Sequence, residues 1–139
     1  MVTVRHASKS DRAFWSALDE NLSKDVLAEK IRDKRGYVIR CHDKLIGIMR
    51  YNLLWDEVPF LTLICLDERY RGSGYGRQAI LLWEDEMRAL GHQMVMTSTR
   101  VDEGAQHFYR KLGYLDRGGI FLDGTPLAQP QEVFMVKVF

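Results

Sequence analysis

The chain has 139 residues, 46% of them hydrophobic and 28% charged, with a formal net charge of +1 at pH 7. That length fits one domain, read as residues 1–139, and the charge balance lacks the basic excess that tracking nucleic-acid phosphates requires. Apolar runs such as FLTLICL are too short to cross a bilayer, and the start MVTVRHASKSDR lacks the basic-then-apolar order of a secretion signal, so the expectation is a cytoplasmic protein. Two cysteines, Cys41 and Cys65, are too few for a disulfide framework, and four scattered histidines lack zinc-site spacing, so no metal is expected.

Taken in order, VTVRHA alternates like a short strand, and SKSDRAFWSALDEN follows as a helix with Ser8 or Ser10 as cap. SKDVLAEKIRDKR reads as a second helix with Val26, Leu27 and Ile31 on its apolar stripe and Gly36 as its stop. GYVIRC and LIGIMRYNLLW flank the short polar turn HDK and predict a hairpin. FLTLICL is apolar almost throughout, as a central strand covered on both faces would be. Beyond the glycine-rich RGSGYGRQ, AILLWEDEMRALG sets Ile80, Trp83, Met87 and Leu90 at helical spacing before Gly91. QMVMTST is the next strand. DEGAQHFYRKLG is the next helix, with Asp102 as cap, Ala105, Phe108, Tyr109 and Leu112 on one face and Gly113 as stop. A loop-rich stretch from Gly118 to Gln131 then leads to a terminal strand, VFMVKVF. The alternation predicts an α/β chain with a strand, glycine loop and helix at its centre.

That loop carries the chemistry. A glycine-rich turn feeding a helix N-terminus offers backbone N–H groups to an anion, and missing Cβ atoms let a phosphate approach. A dinucleotide fingerprint would need glycine at Arg77, and a Walker loop would need Gly-Lys-Ser/Thr; neither is present. The pattern R-x-x-G-x-G, met by Arg71, Gly74 and Gly76, resembles the pyrophosphate loop of the GNAT superfamily of N-acetyltransferases. Some thirty residues on, AQHFYRKLGY is similar to the family's second signature, A-x-x-F-Y-x-K-L-G-[FY].

The resemblance implies the GNAT fold: a mixed, mostly antiparallel twisted sheet with flanking helices, whose central strands LTLICL and QMVMTST run side by side and then splay to admit acetyl-CoA. It implies that the amides of Arg71, Gly72, Ser73, Gly74, Tyr75, Gly76 and Arg77 hold the pyrophosphate, with both arginines adding charge. The backbone of Ile64, Cys65 and Leu66 would pair with the pantetheine arm, and Leu66 N–H would face the thioester oxygen. Tyr109 matches the tyrosine that protonates the departing sulfur, although it also lies on its helix's apolar stripe. Asp102 stands where many members have an asparagine that bonds the pantetheine amide. Thr97 occupies the place where some members carry a glutamate base. That leaves Glu57 as the first candidate base, with Asp56 and His107 behind it; Phe14, Trp15 and Trp55 are candidate pocket walls or core. The implied activity is acetyl transfer from acetyl-CoA to a primary amine of a small molecule, peptide or protein, and the resemblance leaves room for a homodimer. A non-catalytic acyl-CoA binding or sensing module is the alternative, because it would keep the loop and dispense with the base.

Overall fold

The computed structural model describes all 139 residues. In chain order they form β1 (Val2–His6), a 3₁₀ turn at Lys9–Asp11, α1 (Arg12–Leu18), α2 (Lys24–Arg32), β2 (Gly36–Cys41), β3 (Lys44–Leu54) and β4 (Val58–Leu66). A second 3₁₀ turn at Glu68–Tyr70 leads to α3 (Tyr75–Ala89), β5 (Met94–Arg100), α4 (Ala105–Lys111), β6 (Leu115–Ile120) and β7 (Glu132–Val138). The strands make one seven-stranded sheet in the order β1-β2-β3-β4-β5-β7-β6. Every neighbouring pair is antiparallel except β4 with β5, so the mixed, mostly antiparallel architecture expected from the sequence is present.

Helices cover both faces because each strand turns alternate residues to each side. On one face, Ile80, Trp83 and Met87 of α3, Tyr109 of α4 and Leu112 just beyond it pack with Ile39, Met49, Leu61, Val95 and Met135 of the sheet. On the other, Trp15 of α1 and Leu27 of α2 pack with Val38 and Ile48. Each large side chain buried this fully contributes about 1.5–3 kcal/mol.

Several boundaries differ from the sequence expectation for local reasons. Ser8 precedes the 3₁₀ turn, and its N–H donates to the Asp11 carboxylate at 2.8 Å, so α1 starts only at Arg12. Helix α2 ends at Arg32 and the chain turns back through Lys34 at φ 56°, which leaves Gly36 as the first residue of β2 rather than the helix stop. A Cβ at Gly36 would lie 3.3 Å from the Trp15 ring, so close packing is what this glycine serves. Leu90 is 62% exposed and does not extend the α3 stripe. The segment from Gly118 is not all loop: β6, exposed along its whole length, pairs with β7 through Ile120.

A bulge in β4 positions the site. Arg50 of β3 faces Leu63 while the next residue, Tyr51, faces Leu61, so Thr62 is the extra residue. The insertion reverses the alternation: Leu61, Ile64 and Leu66 pack toward α3 and α4, whereas Leu63 and Cys65 pack toward α1 and α2. Pairing with β5 is confined to Phe60↔Met96 and Leu61↔Thr97, immediately before that bulge. Beyond it the two strands diverge, as the splayed central pair required.

Candidate active site

The diverging strands leave one edge of β4 without a backbone partner. Asp67 N–H donates to Ile46 O at 2.7 Å, which fixes the phase of the antiparallel ladder with β3. By alternation the peptide groups of Cys65 turn toward β3, and those of Ile64 and Leu66 turn into the gap. The strand expected to be covered on both faces is accordingly only half-buried from Leu63 to Leu66.

At the end of that edge lies the glycine loop. Gly72 and Gly74 have φ of +79° and +83°, and a Cβ on either would meet no atom within 4 Å, so the backbone here is both left-handed and open to approach. Arg71 N–H bonds Glu68 O and Gln78 N–H bonds Gly74 O, but the six N–H groups between them, Gly72 to Arg77, have no acceptor in the protein. Three of them are the orphan donors of the first turn of α3, a 15-residue helix whose dipole adds partial positive charge at the same point. Arg71 Nε reaches back to Leu66 O at 3.0 Å and ties loop to strand. Ile64, Leu66, Arg71, Gly74, Arg77 and Phe108 are among the residues around a cavity of about 540 Å³ here.

A second cavity, about 460 Å³, opens between β4 and β5 and shares Ile64 and Phe108 with the first. Tyr109 lines it from α4, where Ala105, Phe108, Tyr109 and Leu112 face the sheet as their spacing predicted. Its ring is 6% exposed and packs edge-on against Phe108 and Tyr114. Burial pushes the phenol up to about 12, opposed by the neighbouring Thr97 hydroxyl, which favours the ionised form. Thr97 itself donates to Leu61 O at 2.9 Å across the last paired rung. Two residues on, Thr99 Oγ1 is buried with no partner, beside the unpaired stretch of β4.

The structure therefore gathers Ile64, Cys65, Leu66, Tyr75 and Gly76 with the arginines and glycines of the loop, and Tyr109 with the splay point. Ser73 is exposed on the loop between Gly72 and Gly74. Leu66 belongs to the loop's cavity and not to that of Tyr109; the strand residues beside Tyr109 are Thr62, Leu63 and Ile64. Asp102 is not the α4 cap, a position held by Gly104; its carboxylate instead takes Arg100 at 2.8 Å on the surface. A neighbouring arginine two residues back outcompetes capping, and it holds the Asp102 carboxyl below the usual range. Glu57 sits exposed before β4, beside Gly91, His92 and Gln93, about 15 Å of strand from the bulge. Asp56 shares that turn. His107 is on the outer side of α4, within 3.2 Å of Arg110. Trp15 is core, donating to Asp19, and Trp55 is 81% exposed on the β3–β4 turn.

One functional candidate escaped the sequence reading. Glu132, the first residue of β7, lines the cavity of Tyr109 and accepts a hydrogen bond from Ser98 Oγ at 2.6 Å. Its signal was the alternation E-V-F-M, which puts Glu132 on the face opposite Val133 and Met135.

The family model described as Acetyltransferase (GNAT) family matches residues 4–114, a span containing both the glycine loop and Tyr109. The chain belongs to the GNAT acetyltransferase family. A search of the curated proteins finds no match in sequence. Among solved structures, a ribosomal-protein-alanine N-acetyltransferase from Brucella melitensis is similar at TM-score 0.82 and 18% identity, covering 99% of this chain and 99% of that one. A spermidine N-acetyltransferase from Vibrio cholerae is similar at TM-score 0.80 and 18% identity, over 99% and 93% of the two chains. Naa50 of Arabidopsis thaliana, in complex with the bisubstrate analogue CoA-Ac-MVNAL, gives TM-score 0.79 at 14% identity over 99% of both. At such identities the GNAT fold is what is shared. No helix is long and apolar enough to cross a membrane.

Proposed function

We propose that this GNAT protein is an acyltransferase that moves the acetyl group of acetyl-CoA onto a primary amine of a small molecule, peptide or protein by direct attack. The observation that carries this is the run of six N–H groups without a protein acceptor, Gly72 to Arg77, opening onto the unpaired edge of β4. Such a run suits a pyrophosphate, with Arg71 and Arg77 supplying charge at its rim. The free N–H of Leu66, whose carbonyl is held by Arg71, and then the peptide groups of Ile64 suit a pantetheine arm lying as an added strand. Because the arm runs from the loop toward the splay point, Leu66 meets it nearer the phosphates, and the N–H of Ile64 is better placed than that of Leu66 to face the thioester oxygen. The unpartnered Thr99 hydroxyl on the opposite wall fits an amide of the same arm. Tyr109, at the far end, donates its phenolic proton to the sulfur.

Bound acetyl-CoA supplies an activated thioester; the protein must supply a neutral amine and a stabilised oxyanion. A lysine-type amine of pKa about 10.4 is neutral once in a few thousand molecules at pH 7, a deficit of roughly 4–5 kcal/mol, whereas an α-amine near 8 needs far less help. Acetyl-CoA at about a hundred times its Kd should add about 2.7 kcal/mol of stability, several degrees of melting temperature, and amines should release free CoA thiol. Gly74→Glu should abolish that shift, since it puts a charge where the pyrophosphate sits; no atom crowds the new side chain, and the left-handed backbone at φ +83° should lower the unliganded melting temperature by a strain of about 1–2 kcal/mol that is read separately from the shift. A parent protein with no shift would defeat the reading. A shift without thiol release across a panel of amines would mark a binding module instead.

A further inference from the structure

The remaining chemical requirement is a base, and the cavity of Tyr109 contains two carboxylates, Glu103 and Glu132. Glu103 is exposed and lies 3.4 Å from Arg100 Nε, which leaves it partnered and solvated. Glu132 is half-buried, and its carboxylate accepts hydrogen bonds only from neutral donors: Ser98 Oγ at 2.6 Å on one oxygen and Gln129 Nε2 at 3.5 Å on the other. No lysine, arginine or histidine forms an ion pair with it, although eleven other acidic residues of the chain are so paired. A half-buried carboxylate held by neutral groups has its charge available for a cation.

Its side of the sheet matters as much as its charge. Val133 and Met135 point into the core with α3 and α4, so Glu132 points to the opposite face, and Ser98 does the same between the inward-facing Thr97 and Thr99. Tyr109 comes from the α4 side. The gap thus passes through the sheet, with a phenol at one mouth and an uncommitted carboxylate at the other.

We propose that Glu132, oriented by Ser98, seats the acceptor's ammonium group and takes its proton; the assignment rests on the acetyl-transfer reading above and narrows it to acceptors that arrive as cations from the face opposite α4. The carboxylate of Glu132 removes one proton from the ammonium and passes it to water. The freed nitrogen lone pair forms the N–C bond to the acetyl carbon, the C–S bond breaks with its electron pair on sulfur, and Tyr109 protonates that sulfur. The second proton shed by nitrogen returns through water to the Tyr109 phenolate, so ammonium and thioester become amide, thiol and one released proton. Around Glu132 the charged groups are Arg100, its cross-strand partner on β5, whose guanidinium is taken by Asp102 and Glu103, and Glu103 itself; β6 sets Ile120 on its other side, and β4 contributes the uncharged Thr62.

The test compares kcat/KM of the parent, Glu132→Gln and Glu132→Asp from pH 6.5 to 9.5 by thiol release, with a short peptide bearing a free α-amino group and with spermidine as probes. The faster probe of the parent is carried through the series. Glu132→Gln should lose about a hundredfold at pH 7. The loss should shrink below about fivefold as the amine becomes neutral without help, and Glu132→Asp should recover part of it. The acetyl-CoA melting shift should be the same in all three. A loss of equal size at every pH, or no loss, overturns the assignment while the parent's shift and turnover stand. A parent with neither shift nor turnover overturns the acetyl-transfer reading beneath it.

Discussion

Along its β3 side, strand β4 is paired from Val58 to Leu66, whereas along its β5 side pairing ends after Phe60 and Leu61. The same nine residues therefore make a closed edge and an open one. The closed edge satisfies backbone groups within the sheet, which is what peptide burial demands. The open edge keeps them for something else, and the sequence of the strand cannot show which edge is which, because the difference lies in a one-residue bulge at Thr62. What decides function is thus less the strand's composition than where its pairing stops. Residues on the open side should govern catalysis and leave folding almost untouched; those on the closed side should act on folding first and on coenzyme binding only in step with it.

Tyr109→Phe probes the open side, and the largest effect is expected there. Removing one oxygen from a ring held by Phe108 and Tyr114 should keep fold and coenzyme affinity, while kcat falls ten- to a thousandfold as the sulfur loses its proton donor. A thiol leaves fairly well unaided, which holds the effect toward the low end of general-acid contributions. With burial pushing the phenol up to about 12, the acid stays protonated throughout the usual range, so the parent's kcat should show no fall from this group between pH 7 and 10. For stability the sign is the same: the buried neutral phenol contributes below the unfolded value near 10, and the contribution is lost as pH rises through about 12. A phenylalanine variant with parental turnover would reduce Tyr109 to packing.

Gly47→Ala probes the closed side. A Cβ at this position of β3 would lie 2.6 Å from Leu66 Cδ2 and 2.7 Å from the Cys65 carbonyl oxygen, so β3 and β4 approach too closely for any side chain. Separating them should cost about 1–3 kcal/mol, measured by denaturant unfolding. Because Leu66 is also displaced, coenzyme affinity should weaken in step with the lost stability. A variant as stable as the parent would show that the closed edge has slack, and the contrast between the two edges would lose its physical basis.

How far the sequence discloses this contrast depends on the distance over which each signal acts. The glycine loop was legible because its pattern is contiguous and its backbone conformation follows from glycine itself. Tyr109 was legible because its helix carries a contiguous signature, and its burial follows from the stripe it shares with Phe108 and Leu112. Strand β6 was not: LDRGGI has no apolar alternation and is exposed throughout, so only its partner β7 defines it. Asp102 looked like a cap because capping is local, but Arg100 on the same turn claims its carboxylate. Glu57 seemed near the site because it precedes the central strand, although a strand is long and its two ends serve different purposes. Glu132 enters the site only through the β5–β7 pairing, a contact between segments more than thirty residues apart.

The smallest and sharpest test uses two threonines of β5 that face the same side, one at the last closed rung and one at the gap. Thr97 Oγ1 donates to Leu61 O at 2.9 Å, so Thr97→Val removes a made hydrogen bond and leaves a buried carbonyl short of a partner, a loss of about 1 kcal/mol. Thr99 Oγ1 is buried and bonds nothing, so Thr99→Val removes a polar atom whose burial is uncompensated, and the free protein should become more stable by up to about 1 kcal/mol. With acetyl-CoA bound the order should change. If the Thr99 hydroxyl is kept for the coenzyme arm, its loss should weaken affinity severalfold, and the melting shift on adding coenzyme at fixed concentration should shrink in Thr99→Val but not in Thr97→Val. Equal effects of the two substitutions on the unliganded protein would mean that Thr99 finds a partner in solution. Its orphaned hydroxyl would then no longer separate the open edge from the closed one.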